Sequence, residues 1–155
     1  MDNNKIGQII SSFSPRERQQ FEEFLDSGLV SQNSNAKKLF RILKAEKHSQ
    51  EKEIIFSEIF GKVAFDDKKL RYLYTDLTAL AEEFISVLVF LKENKLKQNI
   101  LARELSERNC EKSYNTIYRH HREEKENEGI RDAEFYYFRY YFEHTHLSLE
   151  IARQK

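Results

Sequence analysis

The sequence predicts an all-α protein, a single-domain bundle of six to seven helices over residues 1–155, from three observations. Four glycines and one proline in 155 residues leave too few turn-formers for an all-β chain. The charged residues are mostly Glu, Lys and Arg, which favour helix. Apolar residues recur in steps of three and four through long stretches, the period of one helical face. Antiparallel neighbours joined by short connections are the expected arrangement.

The elements follow in order. Ile6, Ile9, Ile10 and Phe13 have helical spacing and predict a short leading helix. In "SPRE", Ser14 can cap, Pro15 suits the first helical position, and Glu17 can reach back to the Ser14 amide. The helix it opens shows Phe21, Phe24 and Leu25 on one side and is predicted to end near Gly28. Ser34 is the expected cap of the next helix, whose stripe is Ala36, Leu39, Phe40 and Leu43. Another helix is expected from just after Ser49 to Gly61, presenting Ile55, Ile59 and Phe60. In "VAFDDKK", Asp66 or Asp67 is the N-cap of a helix running to about Glu93. Leu70, Leu73, Leu77, Leu80, Phe84, Val87 and Leu91 form its seam, and Ala81, Ile85, Leu88, Val89 and Phe90 widen the stripe toward its end. That helix is the expected hydrophobic spine.

From Lys95 the periodicity weakens. Leu96, Ile100, Leu101 and Leu105 make a helical face, and the polar "SERNCEKS" allows a break near Asn109–Ser113. Tyr114, Ile117, Tyr118 and His121 mark a further helix, closed by a charge run and Gly129. Asp132 is the expected cap of the last helix.

Charge and cysteine content narrow the function. Twenty-six basic residues balance 26 acidic ones, so the chain lacks the net basic field of a nucleic-acid binder. One cysteine, Cys110, excludes an internal disulfide and suits a reducing compartment. The first residues do not read as a signal peptide. "FISVLVFL", the longest apolar run, is far below the ~18 residues of a membrane span. The expectation is a cytoplasmic protein with no membrane contact.

The segment from "FSPRERQQFEEFLDSG" through "FDDKKLRYLYTDLTALAEEFI" to "LARELSERN" resembles a loose group of uncharacterised bacterial all-helical proteins, over roughly Ile6 to Ser113. In those proteins similar helices begin a longer helical array. The resemblance implies that this chain is an N-terminal piece of such an array, and it brings no catalytic residues with it.

Candidate chemistry is sparse. The histidines are His48, His120–His121, His144 and His146, and none pair three or four apart as a helical metal site requires. Residues two apart on a helix diverge by about 200°. Cys110 has a base nearby only through the fold. Carboxylate pairs such as Glu82–Glu83 and Glu123–Glu124 are adjacent and so diverge. The glycines stand singly, without a phosphate loop. The expectation is no enzyme, no cofactor and no metal.

An alternative reading is a DNA-binding regulator using a helix-turn-helix-like segment at 57–77, "SEIFGKVAFDDKKLRYLYTDL". There Lys62, Lys68, Lys69 and Arg71 would contact phosphates, and Tyr72 or Thr75 would approach base edges. Against it stand the broad apolar stripe of the same helix, a basic first turn that opposes the helix dipole, and the neutral net charge.

The richest signal is "EFYYFRYYFEHTH", residues 134–146. At about 100° per residue, Phe135, Phe138, Phe142 and Leu149 share a narrow arc. Tyr136, Tyr137, Tyr140 and Tyr141, with Leu147 and Ile151, spread over the opposite half. Phenylalanine tolerates full burial, whereas a tyrosine hydroxyl needs a partner or water. The Phe side should therefore face the core and the Tyr side something partly wet, a common composition at protein interfaces. Stacking on single-stranded bases would need a cationic track, and Arg139 is outnumbered here by Glu134, Glu143 and Glu150. Two coverings satisfy the pattern: helices of the same chain, or a protein partner. The expected function is a helical interaction or scaffolding module with Tyr136, Tyr137, Tyr140 and Tyr141 as anchors, the partner being another protein or a second copy in a homodimer.

Overall fold

The computed structural model describes residues 5–27, 34–45, 51–127 and 133–153. Among the described residues the chain is all-helical, without strands, in eight helices, close to the six to seven expected. They are α1 (Lys5–Ser12), α2 (Pro15–Asp26), α3 (Ser34–Lys44), α4 (Lys52–Phe60), α5 (Asp67–Lys92), α6 (Asn94–Glu107), α7 (Glu111–Asn127) and α8 (Ala133–Arg153). α2 ends at Asp26, near the stop expected at Gly28, and α4 begins at Lys52, after Ser49 as expected. Gly28, Ser49, Gly129 and Asp132 themselves lie outside the described residues, as does His48. Ser34, offered as a cap, is the first residue of α3.

The local signals act as their chemistry dictates. Ser14 Oγ accepts from the Glu17 amide at 3.2 Å, and Glu17 Oε2 accepts from the Ser14 amide at 2.8 Å. This reciprocal box, with Pro15 at the first position, starts α2. Of the two aspartates offered as the α5 cap, Asp66 takes the role, its Oδ1 accepting from the Lys69 amide at 3.0 Å, and Asp67 is the first residue of the helix. Gly61 ends α4 with φ 81°, a region that a Cβ disfavours. The break expected near Asn109–Ser113 falls at Arg108–Cys110. Asn109 takes φ 57°, its amide donates to Ser106 O at 2.9 Å, and the Cys110 amide donates to Leu105 O at 2.8 Å. Those two bonds close a Schellman motif, so the described stretch 95–127 contains two helices and not one bent helix.

Packing divides the chain into two compact units, Met1–Val87 and Leu88–Lys155, with the division inside α5. In the first unit α3 packs on α1, α2 and α4. Its core includes Ile6, Ile10, Phe21, Leu39, Phe40, Ile55, Ile59 and Leu77. Phe84 of α5 joins the rings of Phe13, Phe21 and Phe24 at 5.2–5.5 Å. Phe56, which the sequence reading left off the α4 face, is buried against Phe60. Acidic α2 and basic α3 add ion pairs: Glu22 with Arg41 and Lys44, and Asp26 with Lys37.

The spine reading of α5 holds only from Leu70 to Phe84, where the seam is buried. Beyond it Ile85, Val89 and Leu91 are exposed, and Val87, Leu88 and Phe90 are half-buried. A helix apolar on all sides needs cover on all sides, and the neighbours described here supply only part of it.

In the second unit α6 packs on α7 and on α8. Ala102, Tyr114 and Phe142 form its buried centre, with Leu105, Ile117 and Tyr118 partly buried around them. Phe135 and Phe138 are buried as well. This unit holds α8 and decides which of its sides faces out.

Candidate functional site

The rotation of α8 about its own axis follows from contacts along its inner side. Phe135, Phe138 and Phe142 are 5%, 9% and 1% exposed, the face that the Phe–Tyr division assigned to the core. His121 stacks on Phe142 at 4.1 Å between ring centres. One turn further on, His146 lies over Tyr118 at 3.9 Å, and its Nδ1 is 3.0 Å from the Tyr114 hydroxyl. Tyr118 donates to Glu143 Oε2 at 3.3 Å. Burial pushes the Tyr118 hydroxyl pKa up, and the charge and hydrogen bond of Glu143 push the same way. Stacked rings joined by directional hydrogen bonds have few alternative arrangements, so this ladder resists rotation of α8.

The opposite side is open. Tyr136, Tyr137 and Tyr140 are 54%, 62% and 70% exposed, and Leu147 and Ile151 are also more than half exposed. Tyr141 differs. It is half-buried at the edge of this face, where Arg103 Nη1 of α6 donates to its hydroxyl at 3.1 Å. Of the four predicted tyrosines, three stand on the outer stripe and the fourth ties that stripe to α6. His144 also faces outward, its ring 5.9 Å from Tyr140, whereas His146 two residues on points inward. That divergence is the one expected for neighbours two apart.

The contacts of Tyr114, Tyr118 and His146 escaped the sequence reading. The only available signal was the four- and three-residue spacing of Tyr114, Tyr118 and His121 on α7, which marks a face without naming its partner.

The basic residues of the helix-turn-helix-like segment are placed as follows. Lys62, Lys68, Lys69 and Arg71 are all exposed. Lys69 Nζ sits over the Phe60 ring at 4.2 Å and Lys68 Nζ over Tyr72 at 5.8 Å. Arg71 pairs with Asp67 at 3.0 Å. Tyr72 and Thr75 are exposed beside Asp76. The segment has an open face, but Lys68, Lys69 and Arg71 are drawn into local contacts and interleaved with carboxylates.

Among the described residues no three His, Cys, Asp or Glu side chains converge as metal ligands. Cys110 is exposed, and its thiol donates to the Arg108 carbonyl. Among the described residues no helix is long and apolar enough to cross a membrane. Comparison of the chain with protein-family models, with curated proteins and with solved structures finds no match.

Proposed function

We propose that this chain is a non-enzymatic helical interaction module, and that it binds another protein chain through the outer face of α8. The observation that carries the reading is one contiguous exposed stripe, Tyr136, Tyr137, Tyr140, Leu147 and Ile151, on a helix whose inner side is locked by the aromatic ladder. Scattered exposed apolar residues are ordinary, but five on one side of one helix form a patch of the size that marks binding surfaces. Tyrosine is suited to the role, giving a large contact area with few rotatable bonds and a hydroxyl that tolerates water. A rigid stripe also loses little conformational entropy on binding.

The test is photo-crosslinking in the cell with p-benzoyl-phenylalanine in place of Tyr140, and the same residue in place of exposed Lys112 as control. The expected result is a discrete protein adduct from position 140 that disappears when Tyr136→Lys and Leu147→Lys are added. Equal labelling from both positions, or an adduct indifferent to those two substitutions, overturns the reading.

A further inference from the structure

The outer residues of α8 repeat with a regularity that a generic sticky surface does not require. Ala133, Tyr137, Tyr140, His144, Leu147 and Ile151 are all exposed and follow one another in steps of four, three, four, three and four. That alternation is the seam of a two-stranded coiled coil. With Tyr136 beside them, these residues lie within an arc of about 100°. The inner face of α8 follows a separate arc, so one helix serves two surfaces at once.

From this pattern, and resting on the reading of α8 as an interaction face, we propose that the occupant is a second copy of the chain, with the two α8 helices parallel and in register. Three observations support the second copy and the direction.

The first is the seam itself. A parallel pair stacks each seam residue on its own counterpart, so Tyr137, Tyr140, Leu147 and Ile151 each meet an identical side chain. The lone polar position, His144, also meets itself, and one polar layer among apolar ones selects register.

The second is the rim. One flank of the seam carries Tyr136, Glu143 and Glu150, and the other carries Tyr141 and Ser148. In an antiparallel pair like flanks meet, which brings the Glu143 row against its own copy. In a parallel pair unlike flanks meet. Glu143 then faces the Ser148 hydroxyl of the other copy. Tyr136 faces the other copy's Tyr141, where Arg103 donates to the hydroxyl and offers its cation to the ring. Arg103 is itself flanked by Glu104 and Glu107 at 3.9 and 3.8 Å, so the gain on this flank is local. The main effect is that parallel pairing removes the carboxylate repulsion.

The third is area. Three tyrosines and two aliphatic residues, each more than half exposed, offer roughly 500 Å² per chain, which makes roughly 1,000 Å² in a pair, near the lower bound for a specific interface. The dimer should therefore be reversible and sensitive to single substitutions.

The experiment uses the purified full chain. Sedimentation equilibrium up to about 100 µM should show a monomer–dimer equilibrium, which Tyr140→Lys, and separately Ile151→Lys, weaken at least about tenfold while circular dichroism stays unchanged. Both positions are exposed, so neither variant threatens the fold. Direction is read with Cys110→Ser combined with Ala133→Cys or with Leu147→Cys under mild oxidation. Each single-cysteine chain should form a disulfide-linked dimer, because two seam positions about four helical turns apart both touch their own copies only in a parallel pair. A strict monomer overturns the proposal, as does a dimer indifferent to both lysines, or one in which either cysteine fails to link to itself. A monomer that still gives the Tyr140 adduct with a different protein ends the self-pairing and leaves the interaction face standing. Loss of both signals ends both.

Discussion

Glu22 lies between two cations of α3, with Arg41 Nε at 2.8 Å and Lys44 Nζ at 3.1 Å. The hydrogen bond from Arg41, then that from Lys44, hold its pKa below the ordinary carboxylate range. A folded pKa lower than the unfolded one stabilises above the unfolded value, and that stabilisation is lost as pH falls through the folded value. Both cations are well exposed, so Glu22→Gln should cost no more than about 1 kcal/mol at neutral pH. Urea midpoints of the two proteins should converge as pH drops through the carboxylate range. Tyr118 has the opposite sign. Burial, then Glu143, raise its pKa, so its contribution is complete below the unfolded tyrosine value, near 10, and fades as pH rises through the folded one. Tyr118→Phe keeps the stack on His146 and removes the donor to Glu143, and it should cost about 1 kcal/mol or less. The variant should also lose stability less steeply between about pH 9 and pH 11, which denaturation at the two pH values would show. Neither Glu22 nor Tyr118 stands out in the sequence, because each depends on side chains 19 to 25 residues away.

Helix boundaries were legible where a cap is local. Ser14, Pro15 and Glu17 sit within four residues, and Asp66 and Gly61 act on their own turns. The end of α6 was less so. Asn109 is the one non-glycine at positive φ among the described residues, and only its backbone bonds reveal a Schellman end. Asn109→Gly should be neutral or stabilising by up to about 1 kcal/mol, whereas Asn109→Val should cost more than that, because a branched Cβ disfavours the left-handed region. Thermal melts of the two variants would rank them. At the start of α5 the local contacts of Lys68, Lys69 and Arg71, together with Asp66, Asp67 and Asp76, leave little uncompensated positive charge. Random duplex DNA at low salt should therefore bind weakly or not at all, and Lys68→Ala, Lys69→Ala or Arg71→Ala should not change the titration. Steeply salt-dependent binding lost on those substitutions would restore the DNA reading. The C-terminal half of α5 shows the limit of periodicity. Its apolar residues point all round the helix, and a one-dimensional pattern says nothing of which sides find neighbours.

At the scale of the whole molecule the described residues pack around two cores, one built on Phe21, Phe40 and Leu77, the other on Ala102, Tyr114 and Phe142. Truncating a buried phenylalanine costs about 3–5 kcal/mol, a large share of the stability of a small unit. Phe142→Ala should strip amide-exchange protection from α6, α7 and α8 while sparing α1 to α4, and Phe40→Ala should do the reverse. Exchange mass spectrometry on both variants would show whether the two units open separately. A uniform loss in either variant would mean that they unfold as one. The prediction bears on function, because the second core orients the outer stripe of α8.

The sequence by itself determined the helical class, most helix boundaries, and the division of α8 into a Phe side and a Tyr side. These follow from breaker content, caps and a 3.6-residue period, all of them properties of neighbours along the chain. Only the tertiary structure decided that there are two cores, that α5 is buried for part of its length, and that Tyr141 is held by Arg103 while Tyr136, Tyr137 and Tyr140 stay open. Those outcomes depend on which side chains meet across tens of residues. Burial is a property of the neighbours a face acquires, and a period can orient that face without saying what covers it.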